Sequence, residues 1–427
     1  MQGDRDRPNS EAGLPNLAGA DWLNSAGIQA VFDALERGGY SARAVGGVVR
    51  NALLGEPIHD VDIATTAEPD HVMRLVQAAG LKGIATGAAH GTITVISSHV
   101  PFEVTTLRRD VETFGRHATV AFTTEWEEDA RRRDFTLNAL YCDRKGQVYD
   151  PVGGYADLLA RRVRFIGDPV ARIREDYLRI LRFFRFQATY GIGDCDGEGL
   201  AACIAERDGL TRLSGERVRS EILRLLVAVG VLPVVDVIVR SGIGEIVFGR
   251  KGDVASLSHV AEIERALERS PDAILRLAAL ACSTLDEANA LADRLRLSNL
   301  ERGQLEAAVL TDPALGPEAN LARAKACRFR LSLDAFQRAY IMTWARSAAG
   351  AADEAWHVRF HELSTWKVPE VPFKGSDVVA LGVPPGPNIG IILQQFQDWW
   401  IAADFPDDDA QLHHHLATVA RPYIANA

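Results

Sequence analysis

The stretch Gly46-Gly-Val-Val-Arg-Asn-Ala-Leu-Leu-Gly55, followed by Glu56-Pro-Ile-His-Asp-Val-Asp-Ile-Ala-Thr65, decides the fold. A glycine pair lies between a short β-like run and a helical stretch, and the next run alternates like a strand. Side chains two residues apart on a strand point to the same face, so Asp60 and Asp62 are expected to converge. Together these features predict a small sheet that carries a charged site.

The length and composition are those of an ordinary globular protein. The 427 residues are too many for one small core, so about two to four units are expected. Hydrophobic residues make up 47% and charged residues 24%. No run of eighteen apolar residues occurs and the polar start lacks a signal-peptide core, so no membrane contact is expected. Five scattered cysteines without a CxxC pair fit a reducing cytoplasm.

The net charge of −10 hides an uneven distribution of charge along the chain. Residues 161–190 carry eight arginines against three acids, whereas acidic residues concentrate elsewhere, as in Asp404–Asp409. Local charge matters more than the total for nucleic-acid binding. The composition therefore excludes a protein coated all over with positive charge, but it does not exclude RNA as a partner.

Two different patterns divide the chain and predict an α+β fold, with a mixed head and an all-helical remainder. Up to about residue 150, helical stretches at 28–37 and 70–79 lie between short β-like runs. Those runs are 41–45, 61–64, 91–96, 101–106, 140–142 and 148–150. Beyond that point helical periodicity dominates, over 169–188, 214–229, 254–268, 271–281, 285–297, 299–309 and 317–327.

The acidic pair suggests a metal site. Two adjacent carboxylates repel, and the arrangement is tolerable mainly when a divalent cation neutralises them. Oxygen ligands of this kind suit Mg²⁺ shared with substrate phosphates, and two-metal sites usually need a third carboxylate. Glu103, in the run 101–106, is the candidate beside Asp60 and Asp62. Taken alone, the Asp-x-Asp pattern fits solvated residues on an edge strand better.

The glycine pair strengthens the metal interpretation. A strand–glycine–helix junction at Gly46 and Gly47 presents free backbone N–H groups at the positive end of a helix, which suits a phosphate. Arg50, one turn later, adds a charge-assisted contact. A tight turn with positive φ would explain the glycines equally well. Glycines, arginine and paired acids in this order describe a triphosphate and its metal side by side.

These motifs resemble those of the class II nucleotidyltransferases, the family of bacterial tRNA CCA-adding enzymes and poly(A) polymerases. They follow the family's order over about residues 43–226, and beyond them the resemblance is looser. Asn51 stands where the family commonly has aspartate. The motifs that carry the resemblance are Gly46–Gly55, Asp60–Asp62, Phe102–Arg108, Gly115–Ala118, Arg132–Ala139, Asp168–Arg179 and Glu216–Glu221.

The resemblance implies a sequence of five segments. A flexible leader (1–25) precedes the nucleotidyltransferase head (26–150), which carries catalysis. A helical neck (151–230) recognises the nucleotide base, and a helical body (231–330) follows. The last segment is a helical tail (331–427), expected to bind tRNA.

The resemblance also gives roles to the charged cluster that begins at Arg132. On its own such a run is typical of a solvated surface. The family implies that Arg132 and Arg133 contact phosphate or ribose, that Asp134 contacts the ribose hydroxyl, and that Asn138 contacts the triphosphate. A carboxylate near the 2′-OH would favour ribonucleotides.

A third charged cluster, at Glu175, Asp176 and Arg179, bears on which nucleotide base the protein selects. Spacing alone predicts ion pairs on a solvated helix that contains Glu175, Asp176 and Arg179, worth tenths of a kcal/mol. Cytosine and adenine, however, both place an amino donor beside a ring-nitrogen acceptor, whereas uracil and guanine place a carbonyl beside an N–H. A carboxylate, which only accepts, beside an arginine, which only donates, complements the first two. Unpaired buried polar groups make rejection of the others strong.

The resemblance assigns this template to Asp176 and Arg179 on one rigid helix, with Glu175 holding the arginine. Arg182 joins the nucleotide-binding set, and the remaining arginines are expected along the RNA backbone.

The expected activity is addition of C, C and A to the 3′ end of tRNA, with contacts to the acceptor arm, using CTP, ATP and two Mg²⁺ ions and releasing pyrophosphate. The closest alternative is a poly(A) polymerase on the same head. Enzymes that add only CC or only A, an RNA-binding protein on an inactive transferase fold, and a metal-dependent phosphohydrolase are further alternatives. The intact Asp60 and Asp62 argue against the inactive fold, and a phosphohydrolase leaves Asp176 and Arg179 unexplained.

Overall fold

The computed structural model describes residues 13–87, 91–114 and 117–424. The chain divides into two compact units, one ending at Gly249 and the other beginning at Arg250. In the ranges that are described, no helix is long and apolar enough to cross a membrane. Gly115 and Arg116 of the motif Gly115–Ala118 lie outside the described residues.

The first unit begins with the mixed head that the sequence predicts. Seven strands form one sheet in the order β3-β4-β5-β2-β1-β8-β9, and β6 pairs with β7 in a separate hairpin. The α+β class is therefore confirmed. The strands are β1 (Ala42–Val45), β2 (Asp62–Thr65), β3 (Lys82–Gly87), β4 (Thr92–Ser97), β5 (Val100–Thr106), β6 (Arg108–Phe114), β7 (His117–Phe122), β8 (Tyr141–Cys142) and β9 (Val148–Tyr149). The head helices are α1 (Asp21–Asn24), α2 (Ala26–Arg37), α3 (Gly47–Leu54), α4 (Pro69–Ala78), α5 (Trp126–Arg131) and α6 (Gly154–Leu159).

The register at the centre of the sheet aligns the acids. Strand β2 pairs antiparallel with β1 and parallel with β5, so that Asp62 lies opposite Glu103. Residues directly opposite each other on paired strands point to the same face. The two carboxylates therefore share a face of the sheet. Strand β2 begins at Asp62, so Asp60 lies in the preceding loop and not on the strand as the alternation predicted.

Helix α2 supplies much of the cover for the head core. Its apolar positions recur at intervals of three and four residues, and Ile28, Val31, Phe32 and Leu35 are fully buried. The segment before α2 also packs on the head: the Leu17 amide donates to the Gly146 carbonyl at 2.8 Å. The expected flexible leader at 1–25 is therefore wrong for its second half. Residues 1–12 of it lie outside the described residues.

The neck follows as a set of helices within the same unit. Aromatic rings join it to the head: Phe135 lies 4.9 Å from Phe165 and 5.3 Å from Phe186, centroid to centroid. Since Phe135 follows the charged cluster directly, this contact fixes the cluster against the neck. The remaining helices of the first unit are α7 (Pro169–Glu175), α8 (Leu178–Tyr190), α9 (Gly197–Ala205), α10 (Gly215–Leu226), α11 (Val231–Arg240) and α12 (Ile243–Phe248).

One prediction about the neck is wrong. The single helix expected over 169–188 is two helices, interrupted at Asp176 and Tyr177. Asp176 has an extended backbone (φ −153°, ψ 105°), and its carboxylate accepts from the Leu178 amide at 3.2 Å. The Tyr177 ring packs on Gly209, where an added Cβ would lie 1.9 Å from a ring carbon. The local hydrogen bond of Asp176 and this close approach of Tyr177 to Gly209 stabilise the break between the two helices.

The second unit is helical throughout its described elements. Its first helices pack around Trp344, which stacks on Trp356 with centroids 5.6 Å apart. A further core near the end of the chain surrounds Phe396 and Trp400. The helices are α13 (Val254–Ala266), α14 (Ala273–Ala281), α15 (Leu285–Leu295), α16 (Asn299–Val309), α17 (Leu321–Phe329), α18 (Leu333–Ala345), α19 (Glu354–Thr365), α20 (Gly375–Ala380), α21 (Asn388–Ala402) and α22 (Asp409–Ala420).

Candidate active site

A cavity of about 500 Å³ lies between the head sheet and the neck helices of the first unit. Its walls come from the start of α3, strand β2, the charged cluster after α5, the junction of α7 with α8, and α10. The lining residues are Gly46, Gly47, Arg50, Asp62, Arg132, Arg133, Asp134, Asn138, Asp176, Leu178, Arg179, Arg182, Phe186 and Arg217.

The glycine turn forms one wall. Gly46 has φ 69° and ψ −119°, a conformation that residues with a side chain adopt only with strain. Helix α3 starts at the next residue, so its first N–H groups stand at the cavity wall at the positive end of the helix. Such a turn can accept an anion.

Arg50 brings a buried positive charge to the same wall. It is only 6% exposed, and its guanidinium donates to Asn138 Oδ1, to Asn51 Oδ1 at 2.9 Å and to the Tyr190 hydroxyl at 2.7 Å. All three acceptors are neutral, and in the described part of the chain no carboxylate forms an ion pair with Arg50. Burial lowers the pKa of Arg50, although Tyr190 and Asp134 oppose the shift. An anion in the cavity would compensate this charge.

A buried carboxylate holds the two arginines of the charged cluster. Asp129, 1% exposed, accepts from Arg132 Nη2 at 2.7 Å and from Arg133 Nη2 at 3.1 Å. The Tyr141 hydroxyl also donates to it at 2.8 Å. Burial alone would raise the pKa of Asp129, but the two arginines and Tyr141 outweigh it and lower the pKa. Both arginines are thus fixed from behind while they line the cavity.

Asp134 is the centre of a second buried network. Its Oδ2 accepts from Arg182 Nε at 2.8 Å and Nη2 at 2.5 Å, and its Oδ1 accepts from Asn138 Nδ2 at 3.0 Å and from the Phe135 amide at 2.8 Å. Burial would raise the pKa of Asp134, but Arg182 and the hydrogen bonds lower it to about 2. The roughly four acceptor positions of a carboxylate are therefore all filled. Arg182 lies in turn 3.7 Å from Glu221.

Of the acids of the sheet, Asp62 lines the cavity. Asp62 and Glu103 keep their tips in contact with solvent. Partial desolvation within the cleft, followed by the charges of Glu103 and Asp60, raises the pKa of Asp62 in spite of Arg133. No group of three His, Cys, Asp or Glu side chains within the described ranges forms a ready metal cage. Mutual repulsion of nearby carboxylates still fits Mg²⁺, which usually takes one or two carboxylates and completes its shell with water and phosphate.

The wall at the α7–α8 junction holds the predicted base template in an unexpected way. Glu175 accepts from both Arg172 and Arg179, so Arg179 is held by the carboxylate that the family resemblance named. Asp176 accepts instead from Arg217 Nη2 on α10 at 2.7 Å. The placement of Asp176 and Arg179 on one helix is wrong, because Asp176 lies in the break between two helices. Since Asp176 pairs with Arg217 and Arg179 pairs with Glu175, Asp176 and Arg179 do not neutralise each other's charge.

Comparison with known proteins assigns the family. Residues 42–164 match the family model described as the poly A polymerase head domain. The chain is 35% identical over 385 residues to CCA tRNA nucleotidyltransferase 1, mitochondrial, of Danio rerio, covering 88% of this chain and 87% of that protein. The chain belongs to the CCA tRNA nucleotidyltransferase family.

Two further relatives agree with this assignment. The CCA-adding enzyme of Streptococcus gordonii is 38% identical over 236 residues, 55% of this chain and 58% of that protein. The crystal structure of the Bacillus stearothermophilus CCA-adding enzyme in complex with CTP superimposes with a TM-score of 0.72 at 27% identity, covering 92% of this chain and 97% of that one. Likeness to the CCA tRNA nucleotidyltransferases thus extends beyond the head into the helical remainder.

Most of the predicted site residues line one cavity in this CCA tRNA nucleotidyltransferase. Three of the predicted residues do not line the cavity. Asp60 and Glu103 act on Asp62 through their charge, and Glu175 holds Arg179. The spacing of Asp129 three and four residues before the arginines could have indicated its role. Side chains that pair from segments far apart in the chain show no such regular spacing in the sequence. Residues that sequence reasoning did not place in the site are Asp129, Tyr141, Arg172, Phe186, Tyr190, Arg217 and Glu221.

Proposed function

We propose that the chain adds C, C and then A to the 3′ end of tRNA, using CTP and ATP without a nucleic-acid template and releasing pyrophosphate. One observation carries the proposal: a carboxylate and an arginine with separate partners, Asp176 and Arg179, line the same cavity as the glycine turn and Asp62. A base reader, an anion site and the exposed Asp62 in one cavity suit a nucleoside triphosphate better than a simple phosphate ester.

The triphosphate would lie against the turn at Gly46 and Gly47. The first N–H groups of α3 donate to phosphate oxygens, and the buried guanidinium of Arg50 balances their charge. Arg133, fixed by Asp129, faces the same space. The 3′-hydroxyl of the RNA attacks the α-phosphate, a new P–O bond forms, and the bond to pyrophosphate breaks. The protein contributes by orienting both reactants and by neutralising charge, without a covalent intermediate.

Mg²⁺, as two ions, is the proposed cofactor, and Asp62 with Glu103 and Asp60 would hold it. When bound, it would neutralise phosphate charge and make the 3′-hydroxyl more acidic. The support is the raised pKa of Asp62, which results from desolvation and from acids that crowd one another. Binding a divalent cation relieves this repulsion.

Selection of the base would depend on Asp176 and Arg179. The carboxylate of Asp176 accepts from the amino group of cytosine or adenine, and Arg179 donates to the neighbouring ring nitrogen. Arg217 holds Asp176 through a hydrogen bond of 2.7 Å, and Glu175 holds Arg179 through a direct ion pair. With uracil or guanine, the Arg179 donor would face an N–H donor of the base, and the Asp176 acceptor would face a carbonyl oxygen. Such unpaired polar groups would make the site reject these bases.

Asp134 needs a different description from the one that the family resemblance implied. All of its acceptor positions are used by Arg182, Asn138 and the backbone, so a ribose hydroxyl would have to replace one of these donors. We therefore propose that Asp134 acts mainly by orienting Arg182 and Asn138.

The segments keep their proposed roles: catalysis in the head, base recognition in the neck, and tRNA contacts in the tail. Residues 331–427 contain six Lys and Arg against eleven Asp and Glu, so tRNA contacts there must be local, because the overall field is repulsive. A reducing cytoplasm is proposed as the location, supported by the five free cysteines.

The test supplies purified protein with tRNA that lacks its last three nucleotides, together with Mg²⁺ and one NTP or a pair of them. Two additions with CTP, a third only with ATP, and none with UTP or GTP are expected. The matched control is the double variant Asp60→Asn with Asp62→Asn, which should be inactive. Incorporation that survives in this variant would refute the proposed site.

A further inference from the structure

The last residue of α8 contacts the anion-binding wall from the neck. The Tyr190 hydroxyl accepts from Arg50 Nη2 at 2.7 Å, and the guanidinium carbon lies 4.0 Å from the centroid of the Tyr190 ring. We propose that Tyr190 is a positioning residue for Arg50 and thereby sets the affinity for the triphosphate. The inference rests on the proposed function, because it takes the nucleotide phosphates to be the anion that Arg50 meets.

Tyr190 contacts Arg50 in two ways, of which one, the ring contact, its amide partners cannot provide. Asn138 accepts one hydrogen bond and Asn51 accepts two, from Arg50 Nε at 3.1 Å and Nη2 at 2.9 Å, whereas Tyr190 offers both a hydroxyl and a ring face. Phe186 stacks on Tyr190 with centroids 5.7 Å apart and lies 5.4 Å from the guanidinium carbon. The Arg50 side chain is therefore held between a ring pair and two amides, which limits its rotamers.

The position of Tyr190 also connects the two ends of the nucleotide site. Helix α8 carries Arg179 in its first turn and Tyr190 at its last residue, a separation of roughly 17 Å along the axis. One helix thus contacts the proposed base reader at one end and the proposed phosphate site at the other. A change at Tyr190 should act on the phosphates alone, because Glu175 and Arg217 hold the base reader independently.

The hydroxyl can be removed without removing the ring. In Tyr190→Phe, Arg50 loses one hydrogen bond but keeps its ring contact, so we expect the Kd for CTP and for ATP to rise by the same factor, about threefold to tenfold. In Tyr190→Leu the ring contact is lost as well, and a larger rise is expected. The ratio of CTP to UTP affinity should not change, and kcat should stay within about twofold, since the change affects ground state and transition state alike.

The experiment measures binding of CTP, ATP and CMP to the full chain by isothermal titration calorimetry. CMP lacks the outer phosphates, so its Kd should be unchanged in both variants. Arg50→Met provides the background for a double-mutant cycle: if Tyr190 acts through Arg50, adding Tyr190→Phe to it should have no further effect. Tyr155→Phe, which removes a hydroxyl elsewhere in the same unit, is the matched control and should bind like the wild type.

Three results would overturn the inference. They are an unchanged Kd for CTP in both Tyr190 variants, an equal weakening of CMP, and a loss that persists in the Arg50→Met background. Failure of the proposed function looks different: the wild type would bind CTP but not extend tRNA, and the binding cycle would still decide the role of Tyr190. A wild type that binds no nucleotide would overturn both.

Discussion

Replacement of Asp134 by asparagine tests the buried network that positions Arg182. Asp134 is 9% exposed and bonds Arg182 through two nitrogens. Its pKa falls from an ordinary value of 3.8 to about 2 on folding. Each pKa unit corresponds to about 1.4 kcal/mol, so the charged form contributes about 2 kcal/mol to the free energy of unfolding. We expect Asp134→Asn to lose this amount at pH 7.

The pH dependence has a defined sign. Because the pKa is lower in the folded state, the contribution is fully present above the ordinary value near 4 and is lost as the pH falls toward about 2. The wild type and Asp134→Asn should therefore differ in stability at neutral pH and converge near pH 2. The substituted amide would keep one acceptor oxygen, so the variant should remain folded.

Urea unfolding followed by far-UV circular dichroism measures these differences. A double-mutant cycle with Arg182→Met should give a coupling energy of about 0.5–3 kcal/mol, since the two changes remove the same pair. Asp208→Asn, at an exposed carboxylate of the same unit, is the matched control and should change stability by less than about 0.5 kcal/mol. Additive losses, or a cost of Asp134→Asn that does not diminish in acid, would refute the reasoning.

Three further predictions address the cavity walls. Gly46→Ala places a side chain at φ 69° and ψ −119°, so we expect a loss of about 1–3 kcal/mol in the free energy of unfolding and weaker CTP binding. The control Gly19→Ala adds a methyl group where no heavy atom outside the adjoining residues lies within 4 Å, so it should change neither stability nor CTP binding. EDTA should abolish transfer, and the Mg²⁺ concentration for half activity should rise as the pH falls toward the raised pKa of Asp62; a Mg²⁺ requirement independent of pH would contradict this. Arg217→Met leaves Asp176 without its ion-pair partner, so incorporation of UTP relative to CTP should increase about tenfold in single-turnover reactions. An unchanged ratio of UTP to CTP incorporation would show that Arg217 does not orient the Asp176 carboxylate.

Local patterns explain which parts of the fold could be predicted. Helix α2 has apolar residues at helical spacing on one face, and those residues are the buried ones. The strands that carry Asp62 and Glu103 alternate clearly, so their existence was predictable, although their pairing was not. Strand β3 was missed because Lys82-Gly-Ile-Ala-Thr-Gly87 contains two glycines and no alternation. The hairpin of β6 and β7 was missed as well.

The site shows where the limit of sequence reasoning lies. The motifs identified most of the residues that line the cavity, because charge and glycine stand out along the chain. They did not identify the partners: Arg217 on α10 holds Asp176 from 41 positions away, and Tyr190 reaches Arg50 across 140. Such pairs depend on how helices pack against the sheet, which no local pattern encodes. The break at Asp176 depends in the same way on Tyr177 meeting Gly209 in space.

The most direct measurement of the central claim is the sequence of the RNA 3′ end after reaction with all four NTPs present together. Wild-type protein with tRNA lacking its last three nucleotides should give ends that read CCA and contain no U or G, because the proposed base reader of Asp176 and Arg179 complements cytosine and adenine. Asp176→Ala should give ends that contain U and G as well. Long A-tails from the wild type, or unchanged CCA ends from Asp176→Ala, would contradict the claim that this cavity reads the incoming base for tRNA.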